Sequence, residues 1–280
     1  FEIEKQYSYL KGGVRPLKEA QDLYFKSLKL DPAYAPALNR VAFNYYRMMQ
    51  YDKALEYANK SLSIDTYNPE ANYLFGIINL KLENYTNAKS GFSVASKATA
   101  YRTAAYTELA KLLLSEKKYD EAIAISKKAL TYNQINVTAL EILAVCFRLQ
   151  NKFELEKTIL NSLYSLDNTS AFVAFEKMLI EEGKLNSLTS LVTNELKTES
   201  YINLAIKYQA FGLNKESIEV LKAAPKDAKV FLLLAYFDID NRSEWFKKGL
   251  DASPLLVFPF RSETYDALAE LMKISSHWKL

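Results

Sequence analysis

The residues that could do chemistry in this chain are few, and their spacing argues against an enzyme. His277 is the only histidine, so a His-based triad or a multi-histidine metal site would have to be built around one residue. The pair Gly12-Gly13 lacks the spacing and the following Lys-Ser or Lys-Thr of a phosphate-binding loop. We therefore expect no catalytic residue, no metal and no cofactor.

Pairs of carboxylates are the remaining catalytic candidates. Glu181-Glu182, or Asp238 with Asp240, could in principle act as a general acid and a general base. Such a pair needs a shared pocket that separates the two pKa values. These residues fall in predicted turns, where we expect water to solvate them freely.

Composition limits the class of protein and of partner. Of 280 residues, 49% are apolar and 25% are charged, which is typical of a folded protein, and the scarcity of Gly and Pro favours helices. The 36 basic and 33 acidic residues alternate along the chain, so we expect no nucleic-acid partner. No apolar run is long enough for a membrane span. The single cysteine, Cys146, lies in an apolar run typical of a buried helical residue.

The elements that position the side chains repeat at a fixed interval of 34 residues. The stretch Tyr51-Asp52-Lys53-Ala54 returns as Tyr85-Thr86-Asn87-Ala88 and as Tyr119-Asp120-Glu121-Ala122. One period earlier, Ala20 occupies the place of the alanine. A period of this length indicates a stack of similar structural units.

Blocks that begin at residues 35, 69, 103 and 137 carry the same kinds of side chain at the same places. The shared features are a large residue beside a small one and, ten places later, an aromatic residue that precedes a second amphipathic helix. The large and small pairs are Val41-Ala42, Phe75-Gly76, Leu109-Ala110 and Leu143-Ala144, and the aromatics are Tyr51, Tyr85, Tyr119 and Phe153. Polar turns close the blocks at Asp31, Asp65 and Asp167. Each block is therefore predicted to be a helical hairpin.

This pattern resembles that of tetratricopeptide repeat (TPR) proteins, and residues 35 to 136 match it best. The resemblance implies an all-α fold, an α-solenoid of stacked helical hairpins forming a superhelix, with about seven to eight hairpins. We expect five repeats over residues 1–168, of which the first and fifth are irregular, and degenerate hairpins over 169–250. An apolar tract and a last helix are expected over 251–280. In the fifth repeat Glu156 replaces the alanine, which predicts a looser or differently oriented helix contact.

The resemblance also implies a concave groove lined by the first helix of each hairpin. Carried over to this sequence, the predicted groove residues are Asn39, Arg40, Phe43, Tyr46, Arg47, Tyr73, Ile77, Lys81, Glu108 and Lys111. Aromatic and arginine side chains are enriched in protein interfaces. The expected function is a non-catalytic scaffold that binds a protein or peptide in this groove, or another region of the parent chain.

One alternative stays open at this point. The groove could be filled by its own neighbouring helices. A clamp for two carboxylates, by which some TPR proteins hold chaperone tails, is not expected, because Glu70 and Leu74 stand where that resemblance requires Lys and Arg. Tyr45, Tyr51, Phe75, Tyr85, Phe92 and Tyr119 are expected to fill the core.

A narrower resemblance links residues 64–73, 88–93 and 258–264 to the repeat half of large bacterial proteins, in which a β-sandwich region similar to sugar-handling enzymes precedes the repeats. It implies an alternative function as an accessory module of a bacterial carbohydrate-active protein. The first residue is Phe1, so we expect a processed chain or a fragment from which repeats beyond Leu280 were removed. The compartment, cytoplasm or periplasm, stays undecided.

Overall fold

The computed structural model describes residues 14–181 and 197–252, together with Ala267 and Leu271. These residues form helices joined by short turns and contain no strand, which confirms the all-α prediction. The helices with described bounds are α1 (Val14–Leu30), α2 (Ala35–Arg47), α3 (Tyr51–Ile64), α4 (Pro69–Lys81), α5 (Tyr85–Ala95), α6 (Thr99–Ser115), α7 (Tyr119–Tyr132), α8 (Val137–Leu149), α9 (Phe153–Leu166), α10 (Ala171–Glu181), α11 (Lys197–Ala210), α12 (Asn214–Ala223), α13 (Ala228–Phe237) and α14 (Arg242–Asp251).

Consecutive helices pack as hairpins: α2 with α3, α4 with α5, α8 with α9, α11 with α12, and α13 with α14. A 3-10 turn, Ile239–Asn241, joins the last two. Helix α1 corresponds to the predicted second helix of the first block and α10 to the first helix of the shortened hairpin. The helices predicted to pair with α1 and α10, over residues 1–13 and 188–196, lie outside the described residues.

The turn inside each hairpin explains why an aromatic residue recurs every 34 positions. Helices α3, α5, α7 and α9 each begin at that aromatic residue. Two residues before these helices the backbone is left-handed, with φ between 57° and 62° at Met49, Glu83, Lys117 and Asn151, and Gly212 (φ 75°) occupies the same place before α12. The next backbone N–H then bonds to a carbonyl in the last turn of the first helix, as in Gln50 N–H to Tyr45 O at 2.9 Å. This geometry is the Schellman ending of a helix.

The turn between hairpins repeats as well. The side chains of Asp31, Asp65, Asn133 and Asp167 each accept the backbone N–H two residues ahead, at 2.8–3.2 Å. Such bonds make the Asx turn, which lets the chain reverse between two helices. The corresponding place before α6 holds Thr99, and α6 begins there, four residues before the predicted block start.

The small residues of the repeat lie where helices cross. Ala54, Ala88 and Ala122 are fully buried and Ala20 nearly so. A Cβ on Gly76 would lie 2.5 Å from Cε1 of the buried Phe92, so this position accepts only glycine without movement of the ring. The pairs of a large and a small residue therefore allow two helices to pack closely.

The described residues divide into two compact units, each with its own core. Unit 1 comprises residues 14–112 and 124–136, and unit 2 comprises 113–123, 137–181, 197–252, 267 and 271. One prediction about the core of unit 1 is wrong: Tyr85 is 48% exposed, because it begins α5 at the surface while Phe92, two turns later, fills the interior. Within the described ranges, no helix has the length and apolar character that crossing a membrane requires.

Candidate interaction surface

The predicted groove residues all lie in unit 1, on the first helix of three successive hairpins. Arg40, Phe43 and Arg47 are on α2, Tyr73 is on α4, and Lys111 is on α6. We define the α2/α4/α6 surface as the partly exposed side chains among these helices: Arg40, Phe43, Tyr46, Arg47, Glu70, Tyr73, Ile77, Lys81, Tyr101, Glu108 and Lys111.

Asn39 differs from the other nine predicted groove residues because its side chain is buried, with 1% exposure. Its amide nitrogen donates to Glu70 Oε2 at 3.1 Å and lies 3.4 Å from Asn68 Oδ1. Asn39 therefore holds Glu70 in place instead of offering a contact to a ligand. The proline at the start of α4 and the cap by Asn68, which accepts the Ala71 N–H at 2.9 Å, fix this helix end.

Ion pairs set the charge of this surface. The guanidinium of Arg40 donates from Nη2 to Glu70 Oε1 at 2.5 Å, which joins α2 to α4. Lys111 Nζ lies 2.7 Å from Glu108 Oε1 on α6. All four side chains keep between 21% and 28% exposure, so water and a ligand can still reach them. A partly exposed pair contributes little to stability but can exchange one partner for a group of the ligand.

Aromatic rings lie between these charges. The Tyr73 ring centroid is 5.7 Å from that of Phe92 and 5.5 Å from that of Tyr101, so α4 and α6 meet through rings. Burial, followed by the negative charge of Glu108, raises the pKa of Tyr73 to about 12, so its hydroxyl is a neutral donor at physiological pH. On α2, Arg47 lies 5.9 Å from the Phe43 ring centroid.

Sequence reasoning left Tyr101 out of the surface because it placed the start of the block at residue 103. The structure extends α6 backwards to Thr99, which brings Tyr101 against Tyr73. The other turns between hairpins have Asp or Asn at the place of Thr99, so the absence of such a residue at position 99 could have indicated that α6 begins early. Arg102 fixes this helix start by donating to Ser96 O at 3.2 Å and Lys97 O at 2.8 Å.

A group of buried charged and polar side chains in unit 2 was not predicted from the sequence. Arg148 Nε donates to Glu176 Oε2 at 2.7 Å, and its Nη2 donates to Glu216 Oε1 at 3.1 Å. Tyr208, which is fully buried, donates its hydroxyl to Glu176 Oε1 at 2.5 Å. Lys207 pairs with the buried Glu141. The partners come from α8, α10, α11 and α12, so this buried network connects hairpins of the degenerate region.

Glu156 lies beside that network at the place where the other repeats carry alanine. Its side chain is fully buried beside the carboxyl group of Glu176, with which a protonated Glu156 can share a hydrogen bond. Burial raises the pKa of Glu156 to about 8, the charge of Glu176 adds to the rise, and Arg148 opposes it. Carboxyl groups with a raised pKa can serve as general acids. Glu156 has no exposed surface, however, so a substrate does not reach it in this structure.

The other candidates from the sequence have separate outcomes. Cys146 is fully buried on α8, as predicted, and burial raises the pKa of its thiol to about 12. The prediction for Asp238 is wrong: it is 7% exposed, and it accepts hydrogen bonds from Trp245 Nε1 at 2.9 Å and from Asn241. His277 and Glu182 lie outside the described residues. Within those residues, no cluster of three or more His, Cys, Asp or Glu is arranged to hold a metal ion.

Comparison with known proteins places these features in a class of fold. A family model described as a tetratricopeptide repeat matches residues 103–136. A TPR repeat-containing protein of Bacillus subtilis, YpiA, is 26% identical over 136 residues, which are 49% of this chain and 31% of YpiA. The chain thus matches less than a third of the length of this curated relative.

Solved structures of low sequence identity share the fold. Yeast Tom70 superposes with a TM-score of 0.58 at 16% identity, covering 96% of this chain and 61% of that structure. A tetratricopeptide repeat protein from Parabacteroides merdae gives 0.54 at 17% identity, covering 96% and 97%. The C-terminal part of a TPR repeat-containing protein from Cytophaga hutchinsonii gives 0.53 at 14%, covering 95% and 99%. The fold is therefore an all-α helical repeat of the tetratricopeptide type.

Proposed function

We propose that this chain is a non-catalytic scaffold that binds a segment of a polypeptide on the α2/α4/α6 surface. The supporting observation is the combination of half-buried rings and partly exposed ion pairs on three successive first helices. Phe43 and Tyr73 offer apolar area at a low cost in side-chain entropy, and Arg40 and Lys111 can exchange their partners for groups of the ligand. The segment belongs either to another protein or to another part of the parent chain.

The mixture of charges defines the chemistry that the segment must have. Arg40, Arg47, Lys81 and Lys111 bring positive charge to the surface, and Glu70 and Glu108 bring negative charge. A ligand that offers only carboxylates would be repelled by the two glutamates, as the sequence analysis anticipated for Glu70. A segment with one or two large apolar side chains between charges of both signs fits the surface better.

The experiment is an affinity capture from extract of the source cells, with the chain as bait. Phe43→Ala with Tyr73→Ala removes both rings, and Arg47→Glu with Lys111→Glu changes the charge while leaving the rings. We expect both pairs to lose a protein that the wild-type bait retains. Tyr67→Ala with Tyr85→Ala is the matched control, since these tyrosines are 74% and 48% exposed and lie off the surface.

Circular dichroism of every bait confirms that the fold persists, which separates loss of contact from loss of structure. Equal capture by wild type, ring pair and charge pair would contradict the assignment of the α2/α4/α6 surface. The alternative function, an accessory module of a carbohydrate-active protein, is supported by sequence resemblance alone. The first proposal is preferred because the rings and ion pairs of the α2/α4/α6 surface support it in addition to the sequence resemblance.

A further inference from the structure

A cavity in unit 2 lies between three helices of the degenerate region, and none of its residues belongs to the α2/α4/α6 surface. Its volume is about 390 Å³. Leu221 from α12 and Val230 and Leu234 from α13 form the floor, and each of these side chains is only 1% exposed. A cavity of this size, apolar inside and accompanied by a few polar groups, is of the kind that takes a ligand.

Two aromatic rings form one wall of the cavity. Phe231 and Trp245 lie 6.3 Å apart between centroids with an interplanar angle of 14°, and both remain partly exposed. Trp245 is held in this position because its indole N–H donates to Asp238 Oδ2 at 2.9 Å. The wall is therefore pre-organised, and a large apolar side chain can pack against it without rearrangement.

Three lysines complete the lining, and they approach from two sides. Lys222 and Lys226 lie at the end of α12 and in the turn after it, whereas Lys248 lies on α14. No acidic residue lines the cavity. Lys222 lies 3.6 Å from Asp238, whose carboxylate also accepts hydrogen bonds from Asn241 and Trp245. Lys248 Nζ lies 2.5 Å from Glu244 Oε1 and 4.3 Å from the Trp245 ring centroid, and this exposed pair can exchange Glu244 for a carboxylate of a ligand. Lys226 forms no ion pair with any described residue.

From these observations we propose a second binding site: the cavity takes one large apolar side chain of an acidic peptide segment, and carboxylates on both sides of that side chain pair with Lys222, Lys226 and Lys248. Charge complementarity fixes the class of occupant. Positive charge on two sides of an apolar cavity matches an apolar residue flanked by Asp or Glu, whereas an alkyl carboxylate would satisfy only one side.

This site differs from the α2/α4/α6 surface in the ligand that it selects. Glu70 and Glu108 disfavour an acidic segment on that surface, whereas three lysines and no acidic residue line the cavity. Either proposal can fail without the other, since the two sites share no residue.

Fluorescence of Trp245 gives a local measurement of binding. The chain contains two tryptophans, so Trp278→Phe leaves Trp245 as the sole reporter. The probe is the peptide acetyl-Glu-Asp-Phe-Asp-Glu-amide, titrated at low salt. The comparison peptides replace Phe by Ala, or all four acids by Lys, and decanoate serves as the alkyl carboxylate.

We expect a saturable change in Trp245 fluorescence with the acidic Phe peptide and at least tenfold weaker binding of the other two peptides and of decanoate. Lys226→Glu with Lys248→Glu should weaken the acidic peptide at least tenfold. Ala224→Phe, which fills the mouth of the cavity without changing charge, should do the same. The control pair Lys215→Glu with Lys247→Glu changes two exposed lysines outside the lining and should leave the affinity within twofold.

Three outcomes would overturn the proposal. One is the absence of a saturable signal with the acidic Phe peptide. Another is equal binding of the Ala or the Lys peptide, because the cavity would then recognise neither the ring nor the charge. The third is that decanoate binds more tightly than the peptide and that Ala224→Phe abolishes this binding. The site would then belong to amphiphilic small molecules.

Discussion

The substitution Glu156→Gln is expected to make this protein more stable at alkaline pH and to leave it almost unchanged at acidic pH. Glutamine has the shape of a protonated glutamate and cannot ionise. Glu156 is fully buried and its pKa is raised from the usual 4.5 to about 8. The folded state therefore prefers the protonated carboxyl, and ionisation at high pH costs stability that the variant does not lose.

The sign and size follow from proton linkage. Between pH 4.5 and about 8 the folded state keeps a proton that the unfolded state releases, so the free energy of unfolding falls as the pH rises through this range. One pKa unit corresponds to about 1.4 kcal/mol, and the neighbouring Glu176 shares the titration, so at pH 9 we expect Glu156→Gln to be more stable than the wild type by on the order of a few kcal/mol. At pH 5 the folded wild type has a protonated Glu156 and the variant has a neutral glutamine. The free energies of unfolding of the two proteins should therefore agree within about 1 kcal/mol.

The assay is urea denaturation followed by far-UV circular dichroism at pH 5, 7 and 9 for wild type and Glu156→Gln. The control is Glu154→Gln, two residues before Glu156 on α9. The Glu154 side chain is 89% exposed, so this substitution should have the same small effect at every pH. A difference between Glu156→Gln and wild type that does not grow from pH 5 to pH 9 would refute the reasoning, because Glu156 would then be charged in the folded state throughout.

Four further substitutions test the packing and the turns of the repeat by thermal or urea denaturation. Gly76→Ala should destabilise by about 1 to 2 kcal/mol although alanine is the better helix former, because its Cβ would lie 2.5 Å from the Phe92 ring; an increase in stability would contradict this packing. Ala88→Leu should cost about 1 to 3 kcal/mol through overpacking, and an unchanged melting temperature would argue against its place at a helix crossing. Glu83→Gly should stabilise the fold by about 0.5 kcal/mol because φ is 59° at this residue. Asn151→Gly, at φ 57°, should stabilise less, since asparagine already tolerates this conformation. Equal gains in stability would count against this explanation.

The regular part of the fold could be predicted because its determinants recur. The aromatic residue that begins α3, the buried alanine after it and the Asx residue that closes the hairpin each act through local geometry, which the same residue type reproduces 34 positions later. Phe92 was placed correctly in the core, but Tyr85 was not. Both are aromatic, and the pattern alone does not distinguish a ring at the first position of a helix from one at its centre.

The buried network of unit 2 could not be predicted because it is formed by single residues from several different helices. Glu156 interrupts the alanine series, which predicted a looser helix contact but not a fully buried carboxyl. The groups that determine its protonation, Glu176 and Arg148, belong to other helices, and Glu216 lies 68 residues after Arg148, beyond the degenerate region in which the 34-residue pattern fails. A long-range set of single residues leaves no signal in a repeat pattern, and it becomes visible only when the helices are placed in space.

The chemistry of the α2/α4/α6 surface was predicted in part. Its residues came from the register of the first helices, and that register is correct for α2 and α4. Asn39 was expected at the surface, but it is buried because it supports Glu70. Tyr101 was missed because α6 begins early.

The most direct test of the proposed function is photo-crosslinking at a single position of the α2/α4/α6 surface in cells that produce the parent protein. A benzophenone amino acid replaces Arg47, which is exposed on α2, and in a parallel strain it replaces Asn59, which is exposed on α3 and lies off the surface. We expect a defined cross-linked polypeptide at position 47, weakened when Phe43→Ala is added, and no such product at position 59. The same products at both positions, or none at position 47, would contradict the assignment of this surface as the binding site.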